Sequence, residues 1–548
     1  MKQVYLETFG CQMNVLDSEL VEGQLRALGY QFVSKPDAAD IVLYNTCSVR
    51  QKSEDKVLSR LGLMGIRKES EPNLVVGVIG CMAERDGTAL LKRMPQVDIL
   101  CGPGELDRLP TLLENVYKTG QQQSALAGNQ SRRSAVTADL EEDHLEALDL
   151  SRSFSPERNK YQAYIRIVRG CNKFCTYCVV PYTRGPELSR SPEAIYDEAR
   201  RCIDAGAREI TLLGQTVNHY RYRDHRRSTS SGPLERVITF ADLLAFLHDK
   251  LPDLPRLRFI TSFPADFGDD ILDTIRACPR ICRYLHIPAQ SGSNRILKLM
   301  NRGYTVEQYI DLLERARQRM PDIVVAGDMI VGFPTETTED HELSRVLLEK
   351  AQYKNCFIFK YSPRPGTVAI KRYTDDVPEP EKRRRNNDLL QLQDQISETL
   401  NRRLIGRTVE VLCEGPSGWD KSAESVIAGE RSERAAGGGI ELGATLTAGL
   451  AKRNRSSSSL RRQDPVPNIQ LLGRTRGDQI IVFDGPPAME GKIVMVKVQA
   501  AHAMTIFGSM ADLVPPDDFI STPKMERSGR APHPEGVYGD GGLMGRSA

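Results

Sequence analysis

The chain has 548 residues, longer than one ordinary domain, so roughly two to four domains are expected. Lys and Arg total 74 against 72 Asp and Glu, a formal charge of +2, which excludes a uniformly basic nucleic-acid coat but not a local basic face. Hydrophobic residues at 40% and charged residues at 27% fit globular domains, and no apolar run approaches the ~18 residues of a membrane span, so no membrane partner is expected.

The opening MKQVYLETFGCQMN has one Lys and no long apolar core. It does not read as a secretory signal, and a cytoplasmic chain is expected. Residues 1–119 then alternate strand and helix patterns. VYLET (4–8), IVLYN (41–45) and LVVGVIG (74–80) read as strands, with DSELVEGQLRAL (17–28) and a stretch near 53–67 at helical spacing between them. This βαβαβ order predicts a parallel sheet with helices on its faces. Residues 120–158 are polar with little periodic apolar content and are expected to be a disordered linker.

Residues 159–400 hold about six strand–helix units. The strands are YIRIV (164–168), EITLLG (209–214), RLRFIT (256–261), YLHIPA (284–289), VAGDMIVG (325–332) and CFIFKYS (356–362). Six units predict a partial (β/α)6 barrel, since a closed one needs eight. The charged stretch RYRDHRRSTSSG (221–232) is expected to be an unfolded insertion. A helix at 380–404 carries Leu389, Leu392, Ile396, Leu400 and Leu404. Residues 401–513 supply short strands near 407–413, 469–474, 479–483, 491–499 and 504–508, the pattern of a small β-barrel. A Gly/Ser-rich insertion at 414–466 and the tail 514–548 are expected to be disordered. The fold class is therefore α/β with a small C-terminal β-barrel.

There are 12 cysteines, too many to ignore in a chain not expected to form a disulfide scaffold. Cys171, Cys175 and Cys178 lie in CNKFCTYC, after a strand and Gly170. Three thiols within eight residues can wrap one metal centre, and on a four-iron cube they leave one iron open. A closed zinc site wants four ligands, and no fourth Cys or His is near in sequence. Tyr177 either packs on a flat ligand ring or fills the loop's core. Cys11, Cys47 and Cys81 each follow a strand of the first sheet closely. In a parallel sheet those strand ends share one edge, where open α/β sheets bind ligands, so a shared metal site is expected. Cys101 follows a fourth strand and by position could join them. Cys202, Cys278, Cys282, Cys356 and Cys413 read as buried or incidental thiols, with the isolated pair Cys278 and Cys282 taken as structural.

GCNKFCTYCVVPYTRGPELSR resembles the cluster motif of radical S-adenosylmethionine enzymes. Together with ETFGCQMNVLDSE, NTCSVR and GCMAER it is similar to the methylthiotransferase branch, as are LLGQTVN, HIPAQSGSNRILKLMNRGYT, DMIVGFPTETTEDHE and YSPRPGT. GRTRGDQIIVFDG resembles the TRAM RNA-binding barrel. The likeness covers most of residues 1–119, 159–413 and 467–510. It implies that Cys171, Cys175 and Cys178 bind a 4Fe–4S cluster whose open iron holds S-adenosylmethionine, and that Cys11, Cys47 and Cys81 bind a second 4Fe–4S cluster. Cys101 is not among the family's ligands.

The resemblance implies a radical insertion of a methylthio group at C2 of N6-dimethylallyladenosine, at position 37 in a tRNA anticodon arm, with two S-adenosylmethionine per turnover. Radical chemistry suits an aromatic carbon that has no acidic proton or leaving group. A flavodoxin- or ferredoxin-type reductant and a monomeric enzyme are expected.

Gln215, Ser262 and Gln290 follow barrel strands, where working residues lie in such folds. Gln215 and Gln290 read either as cofactor ligands or as turn structure. Asp328 lies within its strand and is expected to point inward, and His286 to be packed in the barrel. Lys382–Arg385, Arg402, Arg403, Arg407, Arg474 and Arg476 are candidate phosphate contacts. Related enzymes that modify threonylcarbamoyladenosine in tRNA or a ribosomal-protein aspartate are the nearest alternatives. A zinc-bound RNA-binding module and an iron–sulfur electron carrier are the others.

Overall fold

The computed structural model describes residues 1–48, 51–127, 158–224, 236–418 and 468–511, with isolated positions from 146 to 156 and the pairs 228–229 and 232–233. The N-terminal block is a six-stranded sheet in the order β2-β1-β3-β4-β5-β6. Its strands are β1 (Gln3–Phe9), β2 (Gln31–Phe32), β3 (Ile41–Thr46), β4 (Val75–Gly80), β5 (Ile99–Cys101) and β6 (Gln123–Ala125), and every neighbouring pair is parallel. β3 and β4 are buried along their whole length, because helices cover both faces of a parallel sheet. One face packs α1 (Gln12–Ala27) through Leu16, Leu20 and Val21. The other packs α2 (Gln51–Ser70) through Val57, Leu61 and Met64.

The linker expected at 120–158 is structured at both ends. β6 completes the first sheet, because its main chain satisfies the free edge of β5. Further on, Asp149 and Arg152 are buried in ion pairs with Arg166 and Glu19 at 2.5 and 2.6 Å. Most of 128–151 lies outside the described residues, as do 419–467 and 512–548, so the disorder expected there is not described.

The partial barrel consists of six parallel strands in two groups of three. The first group is Gln162–Arg166, Glu209–Leu213 and Arg256–Phe259; the second is Tyr284–His286, Val324–Val331 and Asn355–Lys360. A bridge between Leu257 and Ile281, and a bond from Ser262 N to His286 O of 3.0 Å, join the groups. Side chains alternate along each strand. Ile165, Leu212, Phe259, Leu285 and Met329 pack in the core beneath the helices. Their neighbours Arg166, Arg258, His286 and Asp328 occupy the opposite face.

Two details differ from expectation. The first barrel strand ends at Arg166, and Val168–Arg169 turn into a short antiparallel ladder with Leu188–Ser189. The insertion at 221–232 is partly ordered, since Arg221–Asp224 pairs antiparallel with Arg236–Thr239.

The C-terminal strands Thr408–Pro416, Ile469–Thr475, Ile480–Gly485, Ile493–Ala501 and Ile506–Met510 form a closed barrel. It abuts the N-terminal ends of the partial-barrel strands. Arg256, fully buried, donates to Glu410 Oε1 and to Arg474 O, both at 2.8 Å. Arg258 donates to Glu209 Oε1 at 2.8 Å and to Thr475 O at 3.3 Å. The opposite, C-terminal mouth carries the cysteines.

Candidate functional site: two cysteine trios at one sheet edge

β1, β3 and β4 end side by side, with Phe9 opposite Thr46 and Thr46 opposite Gly80. Cys11, Cys47 and Cys81 follow those ends and so meet at one edge. The close approach depends on two glycines. A Cβ on Gly10 would lie 2.7 Å from Cys47 Cβ, and one on Gly80 (φ +90°) would lie 2.4 Å from Asn45 Oδ1. A buried amide pair fixes the loops: Asn14 Nδ2 donates to Asn45 Oδ1 at 3.0 Å and Asn45 Nδ2 to Asn14 O at 2.9 Å.

Cys11 and Cys47 are hydrogen-bonded to each other. That bond, with the charge of Arg184, draws the Cys11 thiol down to about 6 against the pull of burial. Cys81 is pushed up, chiefly by burial. Cys101 does not join them. Its Sγ donates to Glu105 O at 3.1 Å, and the residue is fully buried in the apolar core.

The second trio sits on the loop after Gly170. Gly170 (φ +65°) admits no side chain, because a Cβ there would lie 1.9 Å from Pro186 O. Cys171 N donates to Gly185 O at 3.1 Å and Cys178 N to Cys175 O at 3.0 Å, which curls the loop. Burial raises the Cys171 thiol to about 11 and also pushes the Cys178 thiol up, with the neighbouring thiols adding to both. Arg302 Nη1 donates to Cys175 Sγ at 3.3 Å while its guanidinium lies 4.4 Å from the Phe263 ring centroid. A delocalised cation on an aromatic face is well placed to offset thiolate charge in a dry site.

The two trios are neighbours. The short helix Val180–Thr183, just after Cys178, packs against α3 (Cys81–Asp86). Arg184 ends that short helix, donates to Asp17 Oδ2 at 2.6 Å, and is hydrogen-bonded to Cys81. On the far side, Arg364 Nη1 donates to Glu54 Oε1 and Arg85 Nη1 to the same oxygen, both at 2.7 Å. The first block is thus pinned over the barrel mouth by buried guanidinium–carboxylate pairs.

Two family models match the chain. Uncharacterized protein family UPF0004 matches residues 3–102, the sheet with the first trio, and the Radical SAM superfamily matches residues 165–347, the barrel with the second. The tRNA-2-methylthio-N(6)-dimethylallyladenosine synthase of Rhodopirellula baltica is 42% identical over 92% of this chain and 95% of its own. The chain belongs to the tRNA-2-methylthio-N(6)-dimethylallyladenosine synthase family. The synthase of the same name from Bacteroides thetaiotaomicron is 38% identical over 92% of this chain and 96% of its own. Among solved structures, the radical S-adenosylmethionine methyltransferase TsrM of Kitasatospora setae aligns with a TM-score of 0.48 at 14% identity, over 67% of this chain and 77% of that one. The chain is a radical S-adenosylmethionine enzyme of this synthase family, and both cysteine trios lie at the C-terminal mouth of the barrel.

Within this synthase-family site the other sequence candidates fall as follows. Asp328 faces the barrel interior, where its Oδ1 lies 3.3 Å from His286 Nε2. His286 in turn packs edge-on to Phe357. Gln290 has a left-handed backbone (φ +73°), and its main chain pairs with the strand Val324–Val331, its N donating to Asp328 O and its O accepting from Ile330 N. Gln215 is half-buried at the mouth. Ser262 Oγ is buried there with no hydrogen-bond partner among the described residues. Tyr177 is half-buried and packs against the cluster that holds Ile296, Met300 and Phe333.

Most of the expected phosphate-binding cations are already engaged. Arg474 pairs with Glu414 and Asp478 at 2.9 and 3.0 Å, and Arg476 donates to Ile281 O at 3.1 Å. Lys382 pairs with Asp375 at 2.6 Å, Arg385 with Glu336 at 2.7 Å, Arg384 with Glu381 at 2.8 Å and Arg402 with Glu398 at 2.8 Å. Lys382, Arg385 and Arg474 are buried or half-buried in these pairs, which hold neighbouring elements together, whereas Arg383, Arg384 and Arg402 stay exposed on their helix. Arg403 and Arg407 remain exposed, beside Lys497 on the strand paired with Thr408. Arg184, Arg302 and the Glu54–Arg364 pair were not singled out from sequence. Arg184 and Arg302 lie inside the quoted motifs but carry no spacing signal of their own.

Proposed function

We propose that this chain is a tRNA methylthiotransferase acting on C2 of N6-dimethylallyladenosine at position 37 of the anticodon loop, with two S-adenosylmethionine per turnover. The relatives' names support the substrate. The juxtaposition of two separate thiol trios, linked by Arg184 and by the contact of α3 with Val180–Thr183, carries the reading.

The residues present fit two 4Fe–4S clusters. Each trio offers three soft donors, none of the cysteines is in a disulfide, and Cys101 is turned away from the first trio. Cys171, Cys175 and Cys178 would hold one cluster and Cys11, Cys47 and Cys81 the other. When bound, these groups and S-adenosylmethionine supply one-electron reduction, hydrogen removal from an unactivated carbon and the methylthio group.

The chain's own residues set the stage for that chemistry. Arg302 holds Cys175 and places a positive charge beside the thiol loop. Arg184, between Asp17 and Cys81, holds the two loops in one orientation. Asp328, braced by His286, together with Gln215, Gln290 and the unpartnered Ser262 hydroxyl, offers polar contacts for S-adenosylmethionine. Domain packing over the mouth keeps water from reactive groups. Arg403, Arg407 and Lys497 are exposed cations on and beside the C-terminal barrel that are available for tRNA phosphates.

An external one-electron reductant of the flavodoxin or ferredoxin type, a single-chain enzyme and a cytoplasmic setting belong to the same reading. No described helix is long and apolar enough to cross a membrane. The test is anaerobic reconstitution with iron and sulfide, then incubation with tRNA with and without the prenyl group and mass analysis of the nucleosides. Only prenylated tRNA should gain a methylthio group. Equal modification of unprenylated tRNA, or of threonylcarbamoyladenosine, would reject the assignment.

A further inference from the structure

We infer that the outer face of the Cys171–Cys178 loop is the docking surface for an acidic one-electron donor protein. This rests on the radical chemistry proposed above and adds where its electron enters.

The loop has two sides. The inner side is covered by Arg302, whose guanidinium reaches Cys175 Sγ and Pro288 O. The outer side presents Phe174, a residue with a left-handed backbone (φ +49°) and 42% exposed, between Cys171 and Cys175. Two main-chain bonds clamp the loop from outside. Thr176 N donates to Met300 O at 3.0 Å, and Ala369 N donates to Thr176 O at 2.7 Å. Asn301 Nδ2 also donates to Phe174 O at 3.1 Å. These bonds fix the end of the helix Asn294–Leu299 on one side of the loop and the helix Val368–Arg372 on the other.

Both helices put cations at the surface. Lys298, Lys371 and Arg372 are exposed, and Ile370 is 45% exposed beside them. None of the three cations has an ion-pair partner among the described residues. The nearby carboxylates have other partners: Asp375 pairs with Lys382, Asp376 accepts from Thr335 N, and Asp266 pairs with Lys173. The loop that carries the buried Cys171 and Cys175 is therefore flanked, through Thr176 and Asn301, by two exposed apolar side chains and three exposed cations. An apolar centre with a charged rim is the build of a transient protein–protein contact, and the rim steers a partner of opposite charge. Exposed Phe and Ile side chains favour a protein over an RNA backbone. In the step itself the donor loses one electron and the site gains one, with no proton or group transferred.

The test compares wild type with a Lys298→Glu, Lys371→Glu, Arg372→Glu variant, and with the milder Lys371→Gln, Arg372→Gln variant. The probe is a purified acidic flavodoxin, its affinity measured anaerobically by calorimetry at two salt concentrations. The charge-reversal variant should bind it about tenfold more weakly or worse, and the milder variant by an intermediate amount. Methylthiolation driven by dithionite, which needs no docking, should be unchanged, as should tRNA affinity. Unchanged flavodoxin affinity in both variants would overturn the assignment. Weakened tRNA binding with unchanged flavodoxin binding would overturn it in favour of an RNA contact. Failure of wild type to make product with dithionite would instead sink the enzymatic reading, while the binding measurement would still report on the surface.

Discussion

Arg184 donates to Asp17 Oδ2 at 2.6 Å, and both side chains are almost fully buried. Arg184 follows the second cysteine trio in the chain and Asp17 lies on the helix that follows Cys11, so one ion pair spans the two trios. Removing one partner of a buried pair leaves an uncompensated charge, a loss of about 3 kcal/mol or more. Asp17→Asn should therefore lower the melting temperature. It should also reduce methylthiolated product more than it reduces cleavage of S-adenosylmethionine, because the relative placement of the two loops is what it disturbs. Equal loss of both activities in the folded variant would argue against a positioning role.

The trios should divide their labour. Cys175→Ala should abolish cleavage of S-adenosylmethionine. Cys47→Ala should leave cleavage measurable by release of the nucleoside fragment, but should stop sulfur insertion. Normal product from Cys47→Ala would refute the division.

Asp478 sits between Lys354, Arg474 and Arg258 under the barrel floor. Burial alone would raise its pKa, but these cations hold it well below the usual carboxylate range. A depressed carboxylate contributes stability that is fully present above its unfolded value near ~4 and is lost as pH falls through the folded value. Asp478→Asn should cost about 3 kcal/mol at neutral pH by chemical denaturation, and the gap to wild type should shrink progressively below about pH 4. A pH-independent gap would contradict the ion-pair account.

Arg403→Ala with Arg407→Ala should weaken tRNA binding with little dependence on sequence. The slope of log affinity against log salt should fall by about one for each phosphate contact removed. An unchanged salt slope would place the RNA interface elsewhere.

The architecture was readable because it follows from periodicity. Strand and helix patterns around residues 4–8, 41–45 and 74–80 dictate a parallel sheet, and parallel strands bring their C-terminal ends to one edge. Hence Cys11, Cys47 and Cys81 could be placed together across 70 positions of chain. Arg302 was not readable, because its contact to Cys175 links residues 127 apart with no regular spacing. The burial of Lys382 and Arg385 within the basic run at 382–385 was not readable for a related reason. A helical Lys or Arg looks the same in sequence whether it faces water or, like Arg385, a carboxylate on a neighbouring element. β6 was missed because three residues completing a sheet edge need no periodic apolar signal.

The most direct test of the central claim is anaerobic reconstitution followed by iron, sulfide and zinc analysis of wild type and of Cys11→Ala, Cys47→Ala, Cys81→Ala combined. Wild type should hold about eight irons and as many sulfides per chain, and the combined variant about four. One or two zincs with no iron, or an iron content that the combined variant leaves unchanged, would contradict it.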